Sequence, residues 1–274
     1  MKPRPFDYLR PDSADEAVAL LAEHGDGARV MAGGQSLMAV LNLRLAEPEV
    51  IIDISRLKEL DTISEINGAI EVGATVTQNT LLAWPKLSEK LPLVAKMLPH
   101  VGHFQTRNRG TVCGSIAHAD PSSELPLALA MLGGEVVLRS KRGTRVLPAN
   151  DFQRDMLTTA REPDELITAV RFPIQAKRQA AFREVARRHG DFAIIALAAT
   201  VDGSKVKLGV GGLAGKPALM QINGTSAPVV EDAVGAFAAR IEGYDDIHAS
   251  AAMRRDLLRN LAPVVIQDAV QCAA

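Results

Sequence analysis

The chain has very little cysteine. Only Cys113 and Cys272 occur in 274 residues, which excludes a disulfide scaffold and fits a reduced, cytoplasmic protein. Aromatic residues are also scarce, at 4%, so a stacking platform for single-stranded nucleic acid is not expected. A net charge of −1 gives no field to draw nucleic acid or an anionic membrane surface. No apolar run approaches the roughly 20 residues of a membrane-spanning helix. The opening Met1-Lys2-Pro3-Arg4-Pro5-Phe6-Asp7-Tyr8 has no apolar core of a secretory signal. Neither G-x-G-x-x-G nor a Walker loop is present. There is no nucleophile elbow, and His100, His103 and His118 lack metal-ligand spacing.

What the chain does have is two glycine-bearing segments. The first reads Val30-Met31-Ala32-Gly33-Gly34-Gln35-Ser36-Leu37. The second runs from Gly110-Thr111-Val112-Cys113-Gly114-Ser115 through His118, Asp120 and Glu124 to Pro126. Each joins an apolar run to small hydrogen-bonding residues. Glycine allows positive φ and close approach of a ligand, and successive exposed N–H groups form a concave anion site. Two such loops suit a ligand with linked phosphates and a polar tail, of which a dinucleotide is one kind. Alone, a Gly-Gly pair after a strand is more often an ordinary βα turn, and Asp120 or Glu124 is an ordinary helix cap. The length of the second string is what capping does not explain.

The apolar fraction of 47% is that of a globular protein with a real core. The pattern is mixed α and β. Asp12 is placed to cap a helix carrying Ala17, Val18, Leu20 and Leu21, which ends near Gly25. Ser36 is placed to cap a helix over 37–43. Residues 49–54 form a buried strand. Asn67-Gly68 marks a hairpin between strands at 60–66 and 70–72. Helices follow at 77–83, 91–98 and 124–132, the last stopped by Gly133-Gly134. A second hairpin is expected about Arg142-Gly143, then a strand at 165–172. Beyond a polar, basic link at 174–179 come three strands, at 182–185, 193–201 and 205–210. Helices at 229–241 and 250–270 close the chain. The expected organisation is therefore α+β, with a domain at 1–175 and a smaller one at 176–274 made of a three-stranded sheet plus helices.

The strings AGGQSL and TVCGSIAHADPSSELP resemble the FAD-binding medium subunit of molybdenum hydroxylases, the relatives of carbon monoxide and xanthine dehydrogenases. FDYLRPDSADEAVALL, IEVGATVTQ, DELITAVRFP and AFREVARRHGDFA resemble the same family, in the expected order. The resemblance covers nearly the whole chain. It implies a two-subdomain FAD-binding fold of the PCMH type, with subdomains of about 1–57 and 58–175, followed by the family's small C-terminal domain.

The resemblance also implies roles. Ala32, Gly33, Gly34, Gln35, Ser36 and Leu37 would hold the pyrophosphate. Gly110, Thr111, Gly114 and Ser115 would meet phosphates and ribityl chain from the other side. Asp120 and, preferably, Glu124 would take sugar or ribityl hydroxyls. Ala74 and Leu166 would lie near the flavin ring. Arg183 would either favour the reduced flavin or be a solvated surface charge. Phe192 would lie beside the ring or, more simply, in the core. Gln35 stands where some relatives carry His, so FAD would be non-covalent. Cys113 replaces a glycine and is read as a buried, inert thiol or a redox-sensitive one.

As an electron-transfer subunit, the chain would need partners. An iron–sulfur small subunit would carry the 2Fe–2S clusters and a large subunit the molybdenum cofactor, in a dimer of heterotrimers. A standalone flavin oxidase and a non-catalytic nucleotide-binding assembly protein are the alternatives.

Overall fold

The computed structural model describes residues 2–175 and 179–272. The boundary expected near residue 176 lies outside the described residues. The N-terminal unit contains β1 (Asp7–Leu9), α1 (Ala14–His24), β2 (Ala28–Met31), α2 (Leu37–Asn42) and β3 (Val50–Asp53). Its three strands are parallel, in the order β1-β3-β2. The central β3 is the β-branched run, and all four of its residues are buried. Ser13, not Asp12, caps α1: its hydroxyl accepts from the Glu16 N–H at 3.1 Å. Asp12 instead donates its backbone N–H to Glu16 Oε2 at 2.7 Å. Asp15 and Glu16 in the first turn complement the helix dipole.

A second unit follows. It comprises β4 (Ile63–Ile66), β5 (Ala69–Gly73), α3 (Gln78–Leu82), α4 (Leu87–Lys90), α5 (Pro92–Met97), α6 (Phe104–Arg107), α7 (Val112–His118) and α8 (Glu124–Leu132). It continues with β6 (Glu135–Ser140), β7 (Gly143–Pro148), α9 (Ala149–Phe152), β8 (Gln153–Asp155), β9 (Thr158–Thr159) and β10 (Leu166–Pro173). The main sheet is antiparallel, in the order β4-β5-β10-β6-β7. Asn67 (φ 48°) and Gly68 (φ 77°) form its first hairpin turn as the dipeptide predicts. In the second, Ser140 pairs with Gly143, so Lys141 and Arg142 make the turn. The strand expected from residue 60 begins only at Ile63, because Leu60 C=O accepts from Thr75 N–H across the exit of β5. Helix α8 is apolar on all sides, as a core helix should be, and Gly133 ends it at φ 66°.

The C-terminal sheet has four strands rather than three: β11 (Ala180–Val185), β12 (Ile195–Asp202), β13 (Lys205–Gly211) and β14 (Ala218–Asn223), antiparallel in that order. The strand β14 has only one β-branched residue, Ile222. Along β12 the side chains alternate between two cores. Ala196 and Ala198 belong to the core that contains α8, while Ile195, Leu197, Ala199 and Val201 face α10 (Ala227–Arg240) and α11 (Ala251–Gln271). Gly209 makes the close approach to α8 possible, since a Cβ there would lie 2.5 Å from Met131 Sδ.

Phe192, expected in the core, is 60% exposed on the β11–β12 connection. That connection is tied down by Arg254, a buried arginine on α11. Its guanidinium donates to the carbonyls of Ile194 and Gly212, pairs with Asp246 at 2.6 Å, and lies 4.8 Å from the Tyr244 ring centroid. Truncation would leave two buried carbonyls and one carboxylate without their donor. Arg254→Met is expected to cost about 3 kcal/mol in urea unfolding; a loss within experimental error would show that Arg254 is not a structural pin.

Candidate functional site

The two glycine segments meet. Loop 32–36 leaves β2 and enters α2, and its two glycines serve different purposes. Gly34 sits at φ 73°, a conformation other residues rarely adopt. Gly33 is needed for packing: a Cβ there would lie 2.0 Å from Arg109 O and 2.8 Å from Gly110 Cα. The main chains of the first and second segments are therefore in direct contact. The second segment is in turn stitched to the exit of β5. Gln78 N–H donates to Gly110 O at 2.8 Å, and Val112 N–H donates to Val76 O at 3.1 Å.

Hydrogen bonding separates the two loops. The backbone N–H groups of Gly33, Gly34, Gln35, Ser36 and Leu37 donate to no protein acceptor among the described residues. Ser36 has helical backbone angles and its hydroxyl does not cap α2, contrary to expectation, so it too is free for a ligand. The second loop spends most of its donors internally. Thr111 is buried and caps α7, its Oγ1 accepting from Gly114 N–H at 2.9 Å, and Ser115 N–H bonds Thr111 O at 3.2 Å. The first loop thus keeps a run of free donors of the kind that can bind an anion, and Arg109 and Gly110 of the second segment pack against it.

The remaining candidates are placed as follows. Ala74 is buried and its N–H donates to Thr168 O at 2.9 Å; Leu166, also buried, opens β10 two residues before Thr168. Asp120 Oδ1 accepts from Ser122 N–H at 2.8 Å, a turn-forming bond just ahead of α8. Glu124, the first residue of α8, is only 6% exposed. Burial pushes its carboxyl up to about 8, with Glu184 and Asp120 reinforcing the shift and His100 opposing it. Arg183 is not brought to this group. It is exposed on β11 and pairs with Asp268 of α11 at 2.6 Å, on the face that carries Ala181 toward the α10–α11 core. Its neighbours Phe182 and Glu184 face the other way, toward His100.

Gln78 and Glu184 lie in the strings IEVGATVTQ and AFREVARRHGDFA, which assign them no role. Gln78 is buried against Gly110 and its Oε1 has no partner. Glu184 accepts from His100 Nδ1 at 3.1 Å, while its Oε2 is buried and unpartnered. Their contacts are with residues distant in sequence, so neither string reveals them. Cys113 is buried on α7, and burial pushes its thiol far up, which suits the inert reading.

Residues 4–175 match the family described as the FAD binding domain in molybdopterin dehydrogenase. The chain belongs to this family, as an FAD-binding medium subunit of the molybdenum hydroxylase class of oxidoreductases. It is 33% identical to the 6-hydroxypseudooxynicotine dehydrogenase complex subunit alpha of Paenarthrobacter nicotinovorans, over 100% of this chain and 97% of that protein. It is 40% identical to caffeine dehydrogenase subunit beta of Pseudomonas sp. strain CBB1, over 70% of this chain and 66% of that protein. Among solved structures, quinoline 2-oxidoreductase from Pseudomonas putida 86 superposes with a TM-score of 0.92 at 33% identity, covering 100% of this chain and 99% of that one. Carbon monoxide dehydrogenase from Hydrogenophaga pseudoflava gives a TM-score of 0.93 at 29% identity, with 100% of both chains covered. The mixed α/β architecture is thus that of the family.

The residues present fit FAD. A loop of five unsatisfied N–H groups suits a pyrophosphate, and the nearly buried carboxyl of Glu124 suits a hydroxylated chain. Gly33→Ala should force the two glycine segments apart and misalign at least two charge-assisted hydrogen bonds. FAD affinity is then expected to fall about 100-fold with the C-terminal unit still folded. Fluorescence titration of apoprotein checks this, and wild-type affinity in the variant would remove the loop from the site. In native protein a thiol reagent should label Cys272, which is exposed, and not Cys113; labelling of both without denaturant would contradict the inert reading.

Proposed function

We propose that this chain is the electron-transfer subunit of a heterotrimeric molybdenum hydroxylase, accepting electrons from a 2Fe–2S subunit and delivering them to an external acceptor. The observation that carries the proposal is the five-residue run of free N–H groups at Gly33–Leu37, packed against Gly110. In this reading Ala32 to Leu37 hold the FAD pyrophosphate, Ser36 adds its hydroxyl, and Gly110, Thr111, Gly114 and Ser115 close the opposite wall. Asp120 and Glu124 orient the polar chain. Ala74 and Leu166 are buried, so they limit the flavin end through backbone atoms.

The bound cofactor supplies reversible redox chemistry; the protein supplies position and surroundings. Gln35, which has no nucleophilic ring nitrogen, leaves the cofactor non-covalently held. The domain division we propose is 1–57 and 58–175 for the cofactor and 176–274 for the C-terminal domain. Support comes from the family match ending at residue 175 and from a separate core lying wholly within 181–269. An iron–sulfur cluster normally takes four cysteine ligands, and the two cysteines here are one buried and one exposed. Iron–sulfur and molybdenum centres therefore belong to partner subunits, in a cytoplasmic dimer of heterotrimers. Substrate choice then lies with the large subunit. No helix among the described residues is long and apolar enough to cross a membrane.

The purified chain is expected to bind FAD yet reduce no dye with any organic substrate until an iron–sulfur chain and a molybdenum chain are added. Robust substrate-dependent turnover by the chain alone would overturn the proposal in favour of a standalone oxidase.

A further inference from the structure

The strands β2 and β3 are neighbours and parallel, and α2 lies between them in the chain, so residues 28–53 form one βαβ unit. The glycine cradle leaves the carboxyl end of β2, and Asp53 ends β3 beside it. The register pairs Asp53 with Met31, and the next residue, Ile54, donates its N–H to Met31 O at 2.9 Å. Paired residues of neighbouring parallel strands point to the same face, so the Asp53 and Met31 side chains share one side of the sheet. Gly34 lies on that side too, since a Cβ there would be 3.5 Å from Met31 Sδ. Asp53 therefore stands one strand spacing, about 4.8 Å, from the strand that feeds the cradle, and on the cradle's own face.

The carboxylate of Asp53 is held by two donors. Tyr8 O–H donates to Oδ2, and Ser55 N–H donates to Oδ1 at 2.8 Å. Tyr8 is 50% exposed, so the pair sits at the rim of the sheet and not in its core. Burial works against ionisation, but the bonds from Tyr8 and Ser55 and the charge of Arg10 hold the carboxyl below its ordinary value. An ionised carboxylate accepts at about four positions. Two are taken here, so two are left for a ligand.

We propose that Asp53 accepts hydrogen bonds from the vicinal ribose hydroxyls on the adenosine half of the dinucleotide in the cradle. This role rests on the reading that FAD occupies the cradle. The chemistry is that of a βαβ nucleotide site. The pyrophosphate takes the free N–H groups after one strand, and an acid about 20 residues on takes the ribose. Asp53 follows Gly34 by 19 residues, at the end of the adjacent parallel strand. The glycine spacing is not G-x-G-x-x-G, so strand pairing and not a motif picks out this acid. A ribose carrying a phosphate would meet like charge, so the same carboxylate selects against 2′-phosphorylated nucleotides.

The test uses full-length apoprotein and two probes, ADP and 2′,3′-dideoxy-ADP, each titrated in competition with FAD. ADP is expected to displace FAD. The dideoxy analogue is expected to bind at least about tenfold more weakly, because its donors to a charged acceptor are missing. In Asp53→Asn that preference should shrink to about twofold. The wild-type comparison needs no variant, so it decides the matter even if Asp53→Asn fails to fold. Equal affinity of the two probes in wild type would overturn the role of Asp53 while leaving FAD in the cradle. A full preference surviving in folded Asp53→Asn would overturn it as well, since another group would then read the hydroxyls. If ADP does not compete with FAD at all, the reading of the cradle fails and the role of Asp53 fails with it.

Discussion

The site depends on one contact, the packing of the Gly33 Cα against the main chain at Arg109 and Gly110. No side chain other than hydrogen fits there, since a single Cβ would lie 2.0 Å from a carbonyl oxygen. This backbone-to-backbone contact brings a parallel three-stranded unit and an antiparallel five-stranded unit together at their loops. It also explains the division of labour between the two segments. The second loop is stiffened by its own bonds, with Thr111 capping α7 and Gly110 bonded to Gln78. A rigid wall of that kind holds the first loop in one shape while the first loop keeps its N–H groups free. Free donors, fixed in advance, cost a ligand little ordering when it binds.

The C-terminal sheet contributes differently. It places no strand in the cradle, yet it covers α8 through Ala196, Ala198 and Gly209. Glu124 at the start of α8 is buried, and Glu184 of β11 pairs with His100. Small residues on the covering face permit the close approach. The opposite face of the same sheet is a separate apolar core under α10 and α11. Arg183 faces that side, where it is exposed and pairs with Asp268.

Much of this is legible in the sequence, for identifiable physical causes. Asn67-Gly68, Gly133 and the β-branched run at 50–53 each carry a local signal strong enough to survive tertiary packing. The cradle is legible because the paired glycines and Ser36 make a contiguous run whose backbone donors no bulky side chain covers. The role of Gly33 in packing is not, since its partner lies 76 residues away and only the fold brings them together. The contacts of Gln78 with Gly110 and of Glu184 with His100 are hidden for the same reason. β14 escapes notice because five of its six residues are not β-branched, and Phe192 misleads because an aromatic ring is usually core. The cap of α1 passes from Asp12 to Ser13 because the Ser13 hydroxyl reaches the Glu16 N–H while the Glu16 carboxylate turns back to Asp12.

The central claim is that the free N–H groups of Gly33 to Leu37 hold the dinucleotide. Hydrogen exchange at those five amides, in apoprotein and after FAD addition, tests it most directly. The account predicts fast exchange without the cofactor and strong protection with it, while amides of β12 and α11 stay unchanged. Equal exchange at Gly33–Leu37 in both states would contradict it.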